Sequence, residues 1–244
     1  MRTDRFDGRR ALWLAAVCYQ TYRQYADPDG AFAVPEGFAA AGEIVAFSIN
    51  QTPEPFGFIL ESPDEAVVAF RGTSTVSDWL SDALAVQTEY PFAPGAGLTH
   101  LGFTQIYRSA REQILAALDR IRPDKRLYVT GHSLGGALSV LCALDVAVHS
   151  RFRAPVLYTF GSPRAGNPAF AQAFADRAGP SFRISNLYDA VAYLPPTALK
   201  LPLLKQTFEY RHVGALHPLE FGKPSMSANH MIGGYFAALA KRDP

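Results

Sequence analysis

A serine set between glycines, in Gly131-His132-Ser133-Leu134-Gly135, is the residue best placed to do chemistry in this 244-residue chain. Before it stands Leu127-Tyr128-Val129-Thr130, with the length and β-branched content of a buried strand. After it, LGGALSVLCALDVAVH reads as a helix that is apolar all round. A side chain at so sharp a strand-to-helix corner sits in strained backbone, and glycines on either side remove the Cβ atoms that would collide. The Ser133 hydroxyl then projects from the carboxyl edge of a sheet, where the N-terminal amides of the next helix also point. Such a hydroxyl suits a nucleophile. It needs a base to take its proton, a carboxylate to orient that base, and donors for a developing oxyanion.

Around such a corner the carboxylate comes later in the chain, on a loop past a strand, and the histidine comes after it. Asp145 lies on the corner helix itself, three turns away, and cannot reach back. Asp176 falls on a surface helix, Glu209 inside an expected strand, and Glu220 in a loop of no clear type. Asp189 follows the strand RISNLY and precedes a proline-rich loop, as required, although an aspartate there also suits turn capping. Three histidines follow: His212, His217 and His230. Position favours His230, at the junction of a loop and the last helix. His212, in the expected strand FEYRHV, and His217, before a proline, stay open as alternatives. For the oxyanion, the amide of Leu134 is one donor. Thr73, just past the strand EAVVAFRG, offers a second through its amide and hydroxyl, and is equally able to cap a following helix.

The elements that must hold these residues alternate between the two periodicities. A first helix is expected at 9–26 and strands at 43–50, 56–62 and 65–72. The Ser62-Pro63-Asp64 turn joins the last two as an antiparallel hairpin. Residues 73–84 read as a short helix, 91–102 as loop, and 103–121 as a long amphipathic helix. PVLYTF reads as a buried parallel strand. AFAQAFADRA is a helix, SFRISNLYDAV carries a strand, and a final helix runs from near Asn229 to Lys241. Without repeats or a linker, this is an α/β pattern in one domain over 1–244, with a mixed, mostly parallel sheet flanked by helices.

Composition excludes several classes. The net charge is +1 with 48% hydrophobic residues, and no block of like charge suggests a nucleic-acid partner. Cys18 and Cys142 lie in apolar helical patterns and read as buried, inert thiols rather than a disulfide. The apolar run ALWLAAVC is too short for a membrane span, lacks a small-x-small cleavage site and continues as helix. No transmembrane segment is expected, and a cytoplasmic location is favoured over export.

Five blocks in register, FRGT, GLTHLGF, VTGHSLGGA, YTFGSPRAGN and NLYDAVAYLPP, resemble the class 3 (fungal-type) lipases of the α/β-hydrolase fold. The resemblance runs from about residue 65 to the C-terminus, and the first helix, ending YRQYA, is also similar. It implies Ser133 as nucleophile, Asp189 as acid and, from the Ala228-Asn229-His230 setting, His230 as base. His212, in Tyr210-Arg211-His212, matches a family histidine that is not catalytic. The resemblance further implies Thr73 as an oxyanion residue and a short lid at about 74–84, with Trp79 and Leu80 as its apolar face against the substrate. The implied reaction is hydrolysis of acylglycerol esters through an acyl-enzyme on Ser133, at a lipid–water interface and without metal or organic cofactor. Short-chain, phospholipid or feruloyl ester hydrolysis by the same triad is the alternative, and a silent lipase-like binding protein a third reading. Secreted fungal members carry leaders and disulfides, neither of which is expected here, and TALKLPLLKQ does not align with a counterpart among them.

Overall fold

The computed structural model describes residues 5–73, 86–201 and 205–242. The segment expected to form the lid, with Trp79 and Leu80, lies outside the described residues.

Helix α1 (Gly8–Ala26) starts where the Asp7 carboxylate accepts the Arg10 N–H at 3.0 Å. Strands β1 (Ala39–Phe47), β2 (Pro53–Glu61) and β3 (Glu65–Phe70) follow as an antiparallel meander. The short pair β4 (Gln87–Glu89) and β5 (Leu98–His100) leads into α2 (Leu101–Arg120). Next come β6 (Arg126–His132), α3 (Leu134–His149), β7 (Val156–Phe160), α4 (Pro168–Arg177) and β8 (Ser181–Asn186). A 3-10 turn at Ala190–Tyr193 precedes a small antiparallel pair, β9 (Ala198–Leu201) with β10 (Gln206–Glu209). Strand β11 (Ala215–Leu219) and helices α5 (Met226–His230) and α6 (Ile232–Arg242) close the chain.

The central sheet has the order β1-β2-β3-β6-β7-β8-β11. From β3 onward all its pairings are parallel. Alternation along β3 divides the core. Ala66, Val68 and Phe70 face the layer of α2, α3 and α4, while Val67 and Ala69 face α1 and α6. Helix α3 is covered on every side, as its all-apolar sequence requires. The free edge at β1 is blunted by α2, whose Gln113 and Ser109 side chains accept the N–H groups of Val45 at 3.0 Å and Phe47 at 2.9 Å.

Several boundaries differ from expectation for local reasons. Strand β11 lies where no strand is expected, and Pro218 falls within it. It is an edge strand, with pairing needed on one side only, and so accommodates a proline. FEYRHV does not join the main sheet. Only Phe208 and Glu209 of it are strand, in β10, and His212 lies past that strand's end. The region expected as loop at 91–102 ends in β5 and the start of α2. The final helix is two helices, broken at Met231 in extended backbone, so His230 ends α5 rather than beginning the last helix.

Two histidines tie the fold to pH. His100 caps α2, its Nδ1 accepting the Phe103 N–H at 3.4 Å with the ring stacked on Phe103, and burial lowers its pKa to about 4. His212, whose Nε2–H donates to the Ala192 carbonyl at 2.8 Å, is lowered to about 3, first by burial and then by Arg183. The unfolded chain therefore takes up these protons first. The stability they confer is full above pH 6.5 and falls as pH drops toward 4, by up to about 1.4 kcal/mol per pH unit for each group. Urea midpoints measured from pH 6.5 to 4.5 are expected to fall less steeply for His100→Asn, which keeps a cap, than for the wild type. Parallel curves would remove His100 from this account.

Candidate active site

Ser133 caps α3 with φ +60° and ψ −133°, a conformation costing about 1–3 kcal/mol for a residue with a side chain. The surrounding contacts hold it there. A methyl group at Gly131 would lie 2.2 Å from the Gly135 carbonyl oxygen, and one at Gly135 would lie 2.4 Å from the Phe70 oxygen. Glycine at both positions lets α3 descend onto the ends of β6 and β3 together. The same descent brings Gly72, at the end of β3, against the corner. A methyl group there would stand 2.7 Å from Ser133 Cβ. Leu134, the first residue of α3, is buried, and its N–H belongs to the helix's first turn, which has no acceptor within the helix. Thr73, partly buried, follows Gly72 on the β3 side of Ser133.

Asp189 is buried where β8 ends and uses its two oxygens differently. Oδ1 accepts the Val191 N–H at 2.9 Å and so caps the 3-10 turn. Oδ2 accepts the His230 Nδ1–H at 2.7 Å and the Tyr235 hydroxyl at 2.5 Å. The capping role and the orienting role expected of Asp189 coexist. Tyr235, on α6, also accepts the Asn186 N–H at 3.1 Å, and burial beside the Asp189 carboxylate keeps its phenol protonated far above the usual range. With Nδ1 committed as a donor, the His230 ring carries its lone pair on Nε2. That atom and Ser133 Oγ are both buried, and neither has a hydrogen-bond partner among the described residues.

The other candidates are engaged elsewhere. Asp145 accepts hydrogen bonds from Tyr107 at 2.6 Å, Arg111 at 2.8 Å and His149 at 2.8 Å on the far part of α3. His217 stacks on Phe6 at 3.8 Å, on the α1 face of the sheet. Cys18 is buried against Thr130, and burial pushes its thiol up to about 12. Cys142 is likewise free and buried.

Three side chains that sequence reasoning passed over complete the surroundings. His132, beside the nucleophile, packs its ring 4.6 Å from that of His230. Its Nε2–H donates to the His230 carbonyl at 2.6 Å, so its Nδ1 accepts the Tyr22 hydroxyl at 2.7 Å. The Tyr22 oxygen in turn accepts the Gly72 N–H at 3.1 Å. Burial, and then the facing His230, hold the His132 pKa well below its ordinary value, so the ring stays neutral and the direction of these bonds is fixed. Arg71 anchors the same loop from below. It donates to the Gly72 carbonyl at 2.7 Å, pairs with Glu54 at 3.0 Å, and lies over the Tyr25 ring at 3.7 Å. The sequence signal for these roles was weak: a tyrosine on an amphipathic helix and an arginine at a strand end are each ordinary.

The model of the Lipase (class 3) family matches residues 67–199, more than half of the chain. A lipase of Rhizomucor miehei is 37% identical over 144 residues, covering 57% of this chain and 39% of that protein. A secreted mono- and diacylglycerol lipase A of Penicillium cyclopium is 34% identical over 154 residues, covering 61% of this chain and 50% of its own. This chain thus spans two-fifths to one half of the length of these curated relatives. Among solved structures, the Rhizomucor miehei lipase propeptide complex superposes with a TM-score of 0.70 at 26% identity, over 86% of this chain and 68% of that one. The α/β-hydrolase sheet, the glycine-flanked Ser133 corner and the family match agree, and the chain belongs to the class 3 lipase family.

Proposed function

We propose that this chain is a serine carboxylic-ester hydrolase that cleaves acylglycerol esters at a lipid–water interface, with Ser133 as nucleophile, His230 as base and Asp189 as the acid. One observation carries the reading. The Asp189–His230 hydrogen bond leaves His230 Nε2 as a lone pair, and the two buried polar atoms left without partners at the corner are that nitrogen and Ser133 Oγ. A proton donor and a proton acceptor held dry and unsatisfied are poised for each other and for substrate.

Ser133 Oγ attacks the ester carbonyl carbon as His230 Nε2 takes its proton. Asp189 stabilises the imidazolium that forms and does not itself take the proton. The amide of Leu134 and the amide and hydroxyl of Thr73 would then surround the tetrahedral oxyanion, each such donor contributing about 2.7–4 kcal/mol of barrier lowering. His230 returns the proton to the departing alcohol, and water repeats the sequence on the acyl-enzyme to release the carboxylic acid. The first half leaves Ser133 acylated and His230 neutral, and the second restores the free hydroxyl.

Hydrolysis of p-nitrophenyl and glycerol esters across a series of acyl lengths tests this directly. Ser133→Ala and His230→Ala are each expected to lower kcat by roughly 10⁴-fold or more, while His217→Ala keeps most activity. Turnover by Ser133→Ala near the wild-type rate would end the proposal. A preference confined to short soluble esters would move the substrate class away from acylglycerols.

The hydrogen-bond chain from Gly72 through Tyr22 and His132 to the His230 carbonyl supports a positioning role for Tyr22. Tyr22→Phe is expected to lower kcat roughly 3–10-fold with little change in KM, the cost of one neutral hydrogen bond. The ¹⁵N shifts of the His132 imidazole should report the loss of the hydrogen bond at Nδ1. Unchanged kcat alongside altered shifts would separate the chain from catalysis.

A further inference from the structure

The turn that begins at Asp189 is gripped from outside by positive charge. Arg164, in the loop after β7, donates through Nη1 to the carbonyls of Tyr193 and Pro195, the latter at 2.7 Å, and its N–H donates to the Leu194 carbonyl at 2.7 Å. His212 holds the Ala192 carbonyl through Nε2 at 2.8 Å. Arg183 stands in the middle of β8, level with Thr159 of β7 and Leu216 of β11. Its neighbours Phe182 and Ile184 point into the core under α1 and α6, so alternation sends the guanidinium to the opposite face, beneath the segment 190–213.

Arg183 Nε is buried and has no hydrogen-bond partner among the described residues. Among the described residues no carboxylate pairs with Arg183 or Arg164. The groups that interact with Arg183 are the second guanidinium, the His212 ring and the phenols of Tyr193 and Tyr235, and burial and Arg164 both lower its pKa. Arg183 is partly buried, and a guanidinium whose Nε lacks a partner, facing a second guanidinium, forms half of an ion pair. The missing half must carry several acceptor oxygens and close to two negative charges. That is a phosphate group, which the planar fork of Arg183 can engage with two parallel bonds. A single carboxylate would leave one positive charge unanswered.

We propose that Arg183 and Arg164 form a phosphate-binding site on the outer side of the Ala190–Pro195 turn, adjacent to Asp189 and distinct from the space above Ser133. The occupant is a phosphate group, either free or carried as a lipid headgroup. The site does not depend on ester hydrolysis, so its failure and the failure of the proposed activity are separately visible.

Thermal unfolding of the full chain in inorganic phosphate, against chloride and acetate at matched ionic strength, tests it. At saturating phosphate the wild-type Tm is expected to rise by about 5 °C over both controls. Arg183→Met should remove that rise while unfolding no lower than the wild type in chloride, since it deletes a partly buried charge that no carboxylate among the described residues pairs with. Arg183→Lys, which keeps the charge and loses the fork, should bind phosphate at least tenfold more weakly by calorimetry. A dihexyl-ether glycerophosphate, which has no ester to cleave, distinguishes the sources: tenfold tighter binding than inorganic phosphate assigns a lipid headgroup, and equal binding assigns free phosphate. Equal Tm values in phosphate and chloride, an equal rise in acetate, or a phosphate-specific rise retained by Arg183→Met would each overturn the site.

Discussion

The close approach of α3 to the ends of β6 and β3 is the constraint on which the rest depends. Two glycines, Gly131 and Gly135, let backbone meet backbone where a Cβ would stand only 2.2 or 2.4 Å from a carbonyl oxygen. The strain at Ser133 is a consequence of this approach and is held by it. Burial of α3 on every side exceeds the few kcal/mol the corner costs, so the helix does not relax away. The same approach sets Gly72 against Ser133. One packing event therefore positions both the nucleophile and the strand end expected to help bind the oxyanion, and the two cannot drift apart independently.

A second tie runs at right angles to the first. Helix α1 lies on the opposite face of the sheet from α3, yet its Tyr22 hydroxyl reaches through to Gly72 and His132. His132 then holds the backbone of His230, which sits at the end of a five-residue helix with little support of its own. Such a short helix is not stable by itself. Its position comes from the His132 bond at one side, from Asp189 at the ring, and from Asn186, whose amide donates to the Asn229 carbonyl at 3.1 Å. The base is located by polar contacts rather than by apolar burial. Such contacts are directional and fix the angle of its ring.

Legibility in the sequence followed this division. Residues whose role is enforced by backbone shape, Ser133 with its glycines and Asp189 at a strand end, could be read from local pattern, because strand, turn and helix signals lie within a few residues of them. The α/β layering was equally readable, since continuous apolar runs mark parallel strands. The base was less so. Three histidines competed, and only contacts made by residues up to 110 positions away in sequence, such as Tyr22 with His132, distinguish their surroundings. The misplaced elements have the same origin. Strand β11 and the break at Met231 are set by pairing with β8 and by docking of α6, neither of which leaves a periodic trace in five-residue segments.

Asp189 shows how closely these levels are joined. One oxygen orients His230 and the other starts the 3-10 turn, so the angle of the catalytic pair is coupled to the conformation of residues 190–195. Those residues make few contacts of their own with the apolar core beyond Val191 and Ala192. Their carbonyls are instead held from outside by Arg164 and His212. A charge-neutralising ligand at Arg183 would lower the mutual repulsion that now opposes this grip and so tighten the turn without touching the triad. Because the turn and the His230 bond share one carboxylate, the orientation of the base is open to influence from the outer side of the turn, through a side chain that is itself fully buried.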